Sequence, residues 1–247
     1  MPTITVVIPT RNDVQLLAVC LGALARQSRR ADEIVVVDNG STDNTAEVCA
    51  AAGVRRIAAD LPGIAAATAR GFDAARSDII ARLDTDSVPP ADWLERVEAI
   101  LDRAGPLTAV SGPGDFYGGT RFARWVGGHV WIAGYFWAIG RLLGHPPLFG
   151  SNFALRAEVW ERIRGAVHRG LPPVHDDLDI SYQLPPEVAV IWDPTLRVGV
   201  SARPFESWRA VGRRLMMAWT TFGIEFASDP PLRRRRRRKL WERGHPR

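Results

Sequence analysis

Three apolar, β-branched runs, each ending abruptly in polar residues, constrain this chain more than any other feature. Residues 4–8 lead into Pro9-Thr10-Arg11, residues 33–37 into Asp38, and residues 78–83 into Asp84. A run that is apolar on both alternations of a strand must be covered on both faces, which is the pattern of a parallel sheet. The intervening segments supply the cover. Leu16, Leu17, Cys20, Leu21 and Leu24 share one face of a helix ending near Arg26, with Asn12 or Asp13 placed to cap it. Ser41 or Thr42 can cap a second helix that runs to about Ala52. Residues 63–75 and 93–103 read as further helices, and residues 55–58 and 108–112 as further strands. The expectation is an α/β fold with a mostly parallel, Rossmann-like central sheet and helices on both faces.

Ligands of such sheets bind beyond the carboxyl ends of the strands. Pro9, Thr10, Arg11, Asp38, Asp84 and Asp86 all fall there. Asp38 can accept from a base N–H or a ribose hydroxyl, or it can be a loop residue or helix cap. Asp-x-Asp triplets are commonly solvated turns. At the end of a buried strand, however, Asp84 and Asp86 can share a cleft and hold Mg²⁺ or Mn²⁺, hard cations that take oxygen ligands and bridge to phosphates. Asp176, Asp177 and Asp179 form a second acidic cluster about 90 residues further on. Such crowding raises the pKa of at least one of them and suits a general base. A helix N-terminus, which favours acids, explains the same cluster without catalysis.

After residue 115 the pattern changes. Residues 116–148 are rich in aromatics, including Phe122, Trp125, Trp131, Tyr135, Phe136 and Trp137. They read either as a helix packed on the sheet or as an interfacial, acceptor-facing surface. The nearly uncharged stretch 125–140 is 16 residues long, short of the ~20 that cross a bilayer. Residues 188–192 and 196–200 read as strands, and 207–226 as an amphipathic helix containing Met216, Met217, Trp219, Phe222 and Phe226. Residues 233–247 carry nine basic side chains and one acidic, a net +8 in a chain of net +5, so residues 1–232 sum to −3. The basic residues are confined to one end, which argues against nucleic acid as the partner of the body. A basic tail is attracted to an anionic membrane surface, or is a solvated extension, or binds RNA nonspecifically. Only Cys20 and Cys49 are present, and no basic-then-apolar leader opens the sequence. The expectation is a cytoplasmic protein, peripheral on the inner face of the membrane.

The order of motifs resembles glycosyltransferase family 2. It runs Val6-Val7-Ile8-Pro9-Thr10-Arg11-Asn12, then Val35-Val36-Val37-Asp38-Asn39-Gly40-Ser41, then Leu83-Asp84-Thr85-Asp86 with Pro89, Trp93 and Leu94. Gly150-Ser151-Asn152-Phe153-Ala154-Leu155-Arg156 and Asp176-Asp177-Leu178-Asp179 follow. The resemblance covers residues 3–200 and implies the GT-A fold and inverting transfer of one sugar from a nucleotide-diphosphate donor. The implied acceptor group is a hydroxyl, and the aromatic segment and basic tail add the expectation that it belongs to a lipid-linked or hydrophobic molecule. It implies that Thr10, Arg11 and Asp38 hold the nucleoside, that Asp84 and Asp86 bind the metal and diphosphate, and that Gly150, Ser151 and Asn152 shape the sugar or acceptor pocket. Asp177 is implied as the base, with Asp176 as the alternative register. The family commonly carries Ala-Arg-Asn where this chain has Ala67-Thr68-Ala69, and Arg82 is the candidate to replace that phosphate contact. No Gln-x-x-Arg-Trp signature of processive synthases is present. The expected organisation is a transferase domain over residues 1–205 with an aromatic insertion at 116–148. An amphipathic helix at 206–232 and a basic tail at 233–247 follow. A retaining transferase on the same fold is separable by product stereochemistry. Asp84, Asp86 and Asp177 argue against a non-catalytic nucleotide-binding module.

Overall fold

The computed structural model describes residues 1–120, 124–125, 127–128, 133–170, 174–203 and 208–245. Its centre is β1 (Ile4–Thr10), buried along its whole length. Strand alternation divides it between two cores. Ile4, Val6 and Ile8 face one cluster, and Val7 the other. β1 is parallel to β2 (Glu33–Asp38) on one side and β4 (Ile79–Arg82) on the other; β3 (Arg55–Ala58) extends the sheet beyond β2. β8 (Phe153–Arg156) runs antiparallel between β4 and β6 (Thr108–Ser111), and β9 (Ala189–Trp192) lies parallel to β6 at the edge. The sheet order is β3-β2-β1-β4-β8-β6-β9. The expected mostly parallel sheet is therefore present, with one strand reversed.

Helices cover both faces. Leu17, Cys20, Leu21 and Leu24 of α1 (Val14–Leu24) and Trp93, Leu94, Val97 and Leu101 of α4 (Trp93–Asp102) close one core, where Cys49 of α2 (Thr45–Ala51) also lies. Both cysteines are free. On the opposite face, α3 (Ile64–Ala74) and α6 (Ala157–Ile163) pack Phe72 against Trp160, with ring centroids 5.0 Å apart at 78°. α3 lies close to the sheet because Gly71 has no side chain. A Cβ there would come within 2.3 Å of Val7 Cγ1 and 2.8 Å of Val37 Cγ2. α7 (Asp176–Gln183) brings its N-terminus to the carboxyl edge of the sheet, tied to α3 through Thr68.

Four local expectations are corrected. Neither Asn12 nor Asp13 caps α1; Asp43 Oδ2 accepts from the Val14 amide at 3.0 Å, reaching across from the next loop. α2 begins at Thr45 rather than after Ser41 or Thr42, because Asp43 Oδ1 accepts from the Thr45 amide and hydroxyl. A second sheet, β5-β10-β7, joins Ser87–Val88, Val198–Ser201 and Gly114–Tyr117, of which only β10 had a strand pattern. The arginine run is helical: after α8 (Trp208–Ser228) it forms α9 (Pro231–Gly244), with Pro231 in its first turn. Arg234 and Arg238, four apart on one face, are buried. Arg234 Nη2 donates to the Leu184 carbonyl at 2.7 Å, and Arg238 donates to the carbonyls of Val188 and Pro185 at 3.2 Å each. This part of the run is anchored to the body and is not a solvated extension.

Part of the aromatic segment packs on the sheet, as its helix reading expects. Tyr135 and Phe136, on α5 (Ala133–Leu143), pack against Phe149, and Phe136 against Trp192. Trp125 and Trp137 are exposed. Phe122 and Trp131 lie outside the described residues, as does the expected boundary at 205/206. No helix among the described residues is long and apolar enough to cross a membrane.

Candidate active site

The carboxyl edge of the sheet opens into a cleft of about 770 Å³. Pro9, Thr10 and Arg11 line it from β1, Arg82, Asp84 and Asp86 from β4 and the turn after it, and Gly150 and Ser151 from the turn before β8. Asp176 and Asp177 line it from the start of α7. Three of these segments converge because β1, β4 and β8 are neighbours in one sheet, and the fourth arrives with the N-terminus of α7, tied to α3 through Thr68.

Arg82 is the electrostatic hub. Its guanidinium is 1% exposed, with Nη1 2.8 Å from Asp84 Oδ1 and Nη2 2.8 Å from Asp176 Oδ2. Burial works against its charge, but Asp176, Asp84 and Asp177 outweigh it and raise its pKa. Its Nε–H has no acceptor among the described residues, and neither does the buried hydroxyl of Thr10 have a partner. Both groups belong to cleft-lining residues and retain capacity for a bound ligand.

The two carboxylates after β4 differ. Burial would raise the pKa of Asp84, yet Arg82 and a 2.5 Å hydrogen bond from the Ser151 hydroxyl hold it down. The turn that carries it is closed by the Ser87 amide donating to the Asp84 carbonyl at 3.0 Å. Asp86 has no side-chain hydrogen bond or ion pair to a described residue. Burial, then the neighbouring Asp84 charge, pushes its pKa up to about 7. Two neighbouring carboxylates, one without a side-chain hydrogen bond or ion pair to a described residue, are a donor set that fits a hard divalent cation.

The acids of α7 also separate. Asp176 Oδ2 accepts from Thr68 Oγ1 at 2.6 Å and from Arg82, so this carboxylate is locked into the wall. Asp177 Oδ2 accepts from the Gly150 amide at 2.9 Å. Burial and the adjacent Asp176 raise its pKa, with His175 and Arg82 opposing. Of the two, Asp177 is the better placed to take up a proton.

Two expected site residues stand apart from the cleft wall. Asp38 accepts from the Ser41 amide at 2.8 Å and from Arg56 at 2.7 Å, which together outweigh its burial and lower its pKa. Its neighbour Asn39 lines the cleft instead. Asn152 is fully buried, donating to the carbonyls of Pro113 and Leu196 and accepting from Trp93 Nε1. It braces the loop and does not face the cavity. Arg70, displaced from the position where the family carries arginine, pairs with Asp60 outside the cleft.

The cleft also holds cations that motif reading missed. Arg203, which pairs with Asp13, and Arg214 on α8 both line it. Both lower the pKa of Asp86, and Arg214 also that of Asp84. Their only signal in the sequence was a basic residue just after a strand pattern and another within an amphipathic helix.

The model of the family described as "Glycosyl transferase family 2" matches residues 5–163, well over half of the chain. This chain belongs to glycosyltransferase family 2. An uncharacterized glycosyltransferase of Mycobacterium tuberculosis is 36% identical over 104 residues, spanning 42% of this chain and 46% of the relative. Glycosyltransferase AglE of Haloferax volcanii is 31% identical over 136 residues, 51% of this chain and 44% of its own length. A PGL/p-HBAD biosynthesis glycosyltransferase of Mycobacterium bovis is 36% identical over 118 residues, 45% and 46% of the two chains. The chain thus matches about half the length of these relatives. In fold it is similar to glucosyl-3-phosphoglycerate synthase of M. tuberculosis in complex with UDP. That match has a TM-score of 0.62 at 20% identity and covers 92% of this chain and 79% of the other. Arg203 and Arg214 lie beyond the region the family model matches.

Proposed function

We propose that this chain transfers one sugar from a nucleotide-diphosphate donor to an acceptor hydroxyl, with inversion at the anomeric carbon. The observation that carries this reading is the convergence of Asp84, Asp86, Arg82 and Asp177 on one cleft at the carboxyl edge of the sheet. Asp84 and Asp86 would hold Mg²⁺ or Mn²⁺, which would supply positive charge against that growing on the leaving diphosphate. A similar fold, at 19% identity, binds Mn²⁺, UDP-glucose and phosphoglyceric acid, which supports a nucleotide-sugar and divalent-metal reading.

The remaining work falls to side chains and backbone. Pro9, Thr10 and Arg11 flank the nucleoside, and Asp38 orders the turn that carries Asn39. Arg203 and Arg214 face the diphosphate. Gly150 and Ser151 shape the sugar region, with Asn152 bracing them. Asp177 takes the proton from the acceptor hydroxyl as its oxygen bonds to the anomeric carbon. The bond from that carbon to the diphosphate oxygen breaks, and its electron pair leaves with the nucleoside diphosphate. Attack opposite the leaving group inverts the centre. Asp176 positions Arg82 rather than moving a proton.

A lipid-linked or hydrophobic acceptor at the inner face of a membrane suits the exposed Trp125, Trp137, Met216 and Trp219 and the basic helix α9. The test is incubation with UDP-, GDP- and dTDP-sugars, Mn²⁺ and extracted membrane lipid, reading product configuration by NMR. Inverted product is expected. Retained configuration would remove Asp177 as the acceptor base, and no diphosphate release from any donor would overturn sugar transfer itself.

A further inference from the structure

A second cavity, of about 580 Å³, lies away from the cleft, between α5, the end of β9 and α9. One wall is aromatic: Phe136 and Trp137 come from α5 and Trp192 from β9, with the Phe136 and Trp192 centroids 3.8 Å apart. The other wall is a single face of α9, made by Arg235, Arg238, Lys239 and Glu242 at helical spacing. Arg141 of α5 joins them, its guanidinium 5.4 Å from the Trp137 ring centroid. Four cations therefore face one carboxylate. Arg238 fixes α9 to the carbonyls of Val188 and Pro185. Arg141, Arg235 and Lys239 have no carboxylate partner among the described residues. His145, buried in the back wall, adds no charge, because burial and Arg238 push its pKa down to about 3. Gly144, at φ +79°, ends α5 beside the side chains of Arg235 and Arg238.

We propose that this cavity binds the phosphate-bearing headgroup of an anionic lipid at a bilayer surface, with Trp137 seated in the interface. Cations alone would suit any phosphate. The lipid source is favoured because the same walls are aromatic and Trp137 is 67% exposed. Leu240 and Trp241 add exposed apolar surface on α9, at 57% and 39%. A nucleic-acid ligand would instead meet a body of net −3 beyond the basic segment. None of these residues lines the cleft, so the inference stands whether or not the transfer reading does.

Truncating α9 would remove the anchors Arg234 and Arg238, so point variants of the full chain are the better test. The cavity variant Arg141→Gln/Arg235→Gln/Lys239→Gln is compared with Arg233→Gln/Arg236→Gln/Arg243→Gln, an equal loss of charge outside the cavity. Co-sedimentation uses vesicles of phosphatidylcholine with and without an equal part of phosphatidylglycerol. Wild type should sediment only with the anionic vesicles. Each exposed charge is worth roughly fivefold in partitioning, so both variants weaken, but the cavity variant should fall at least ~10-fold below the control. Brominated lipid should quench tryptophan fluorescence in wild type. Trp137→Ala should lose the part of that quenching due to Trp137 without a change in thermal unfolding, leaving any contribution of the exposed Trp125, Trp219 and Trp241. Equal losses in the two triple variants would overturn the cavity as a site, as would failure of wild type to sediment. Inorganic phosphate binding to the cavity without lipid, with vesicle binding unchanged in the cavity variant, would assign the site to the free ion. Preference for RNA over vesicles at matched salt would equally overturn the lipid assignment.

Discussion

Gly150 and Arg82 are so close that a methyl group on the glycine would lie 2.5 Å from Arg82 Nη1. The same glycine donates its amide to Asp177, and the next residue donates its hydroxyl to Asp84. One dipeptide therefore holds a carboxylate on each side of the cleft, with the guanidinium between them. Gly150→Ala should displace Arg82 and cost about 1–3 kcal/mol through overpacking. Thermal unfolding measures the cost, and donor titration should show weaker binding. An unchanged melting temperature with wild-type affinity would mean that Arg82 can shift at no cost.

Removing the hub itself is more severe. Arg82→Met should destabilise by about 3–5 kcal/mol, because Asp176 and Asp84 lose their buried counter-charge. Adding Asp176→Asn should recover part of the loss, since it removes one of the stranded charges. Chemical denaturation of the single and double variants checks both. A double variant no more stable than Arg82→Met would argue that packing, and not charge, sets the cost.

Asp177→Asn should keep donor binding and lower transfer by a factor of at least ~10², the usual scale for a positioned base. Asp176→Asn should instead lower stability, because its partners Thr68 and Arg82 are buried with it. Steady-state kinetics beside thermal melts distinguish the two. A dead but stable Asp176→Asn with an active Asp177→Asn would exchange the two roles.

Glu225 sets a pH dependence of stability. Burial, then its contact with Asp179, pushes its pKa up to about 9 from an ordinary 4.5. His168 and Gln183 contact it, and Arg234 opposes the shift. The folded state therefore binds more protons than the unfolded state between these values. This contribution is fully present below about pH 4.5 and is lost as pH rises towards 9. Glu225→Gln, which stays neutral, should flatten the decline in melting temperature across that window and melt higher than wild type at its alkaline end. Parallel declines in both proteins would place the titrating group elsewhere.

The long elements were legible in the sequence because β-branched runs and helical spacing recur within single segments, as in β1, β2 and α1. β5 and β7 were not, since Ser87–Val88 and Gly114–Tyr117 become strands only by pairing with β10, a long-range event with no local pattern. α9 was hidden because its buried face is arginine, which reads as solvated until the Leu184, Pro185 and Val188 carbonyls, in the turn between α7 and β9, are seen to receive it. At the site, Asp84, Asp86, Asp176 and Asp177 were placed at the cleft by strand ends and acid clustering, and Arg82 only as the candidate to replace the family's arginine. Asp38 and Asn152 fell in the right loops, but their side chains turn to Arg56 and to the Pro113 and Leu196 carbonyls. Thr68 stood out as a departure from the family pattern; its bond to Asp176 depends on how closely α3 approaches α7.

Metal-assisted transfer is tested most directly by diphosphate release from the sugar donor that wild type accepts. The assay compares wild type with Mn²⁺, wild type with chelator, and Asp86→Ala with Mn²⁺. Release is expected in the first and loss by at least ~10²-fold in the other two, since a lost ligand and a lost ion both leave the leaving diphosphate uncompensated. Undiminished release with chelator, or from a folded Asp86→Ala protein, would contradict the role given to Asp84 and Asp86.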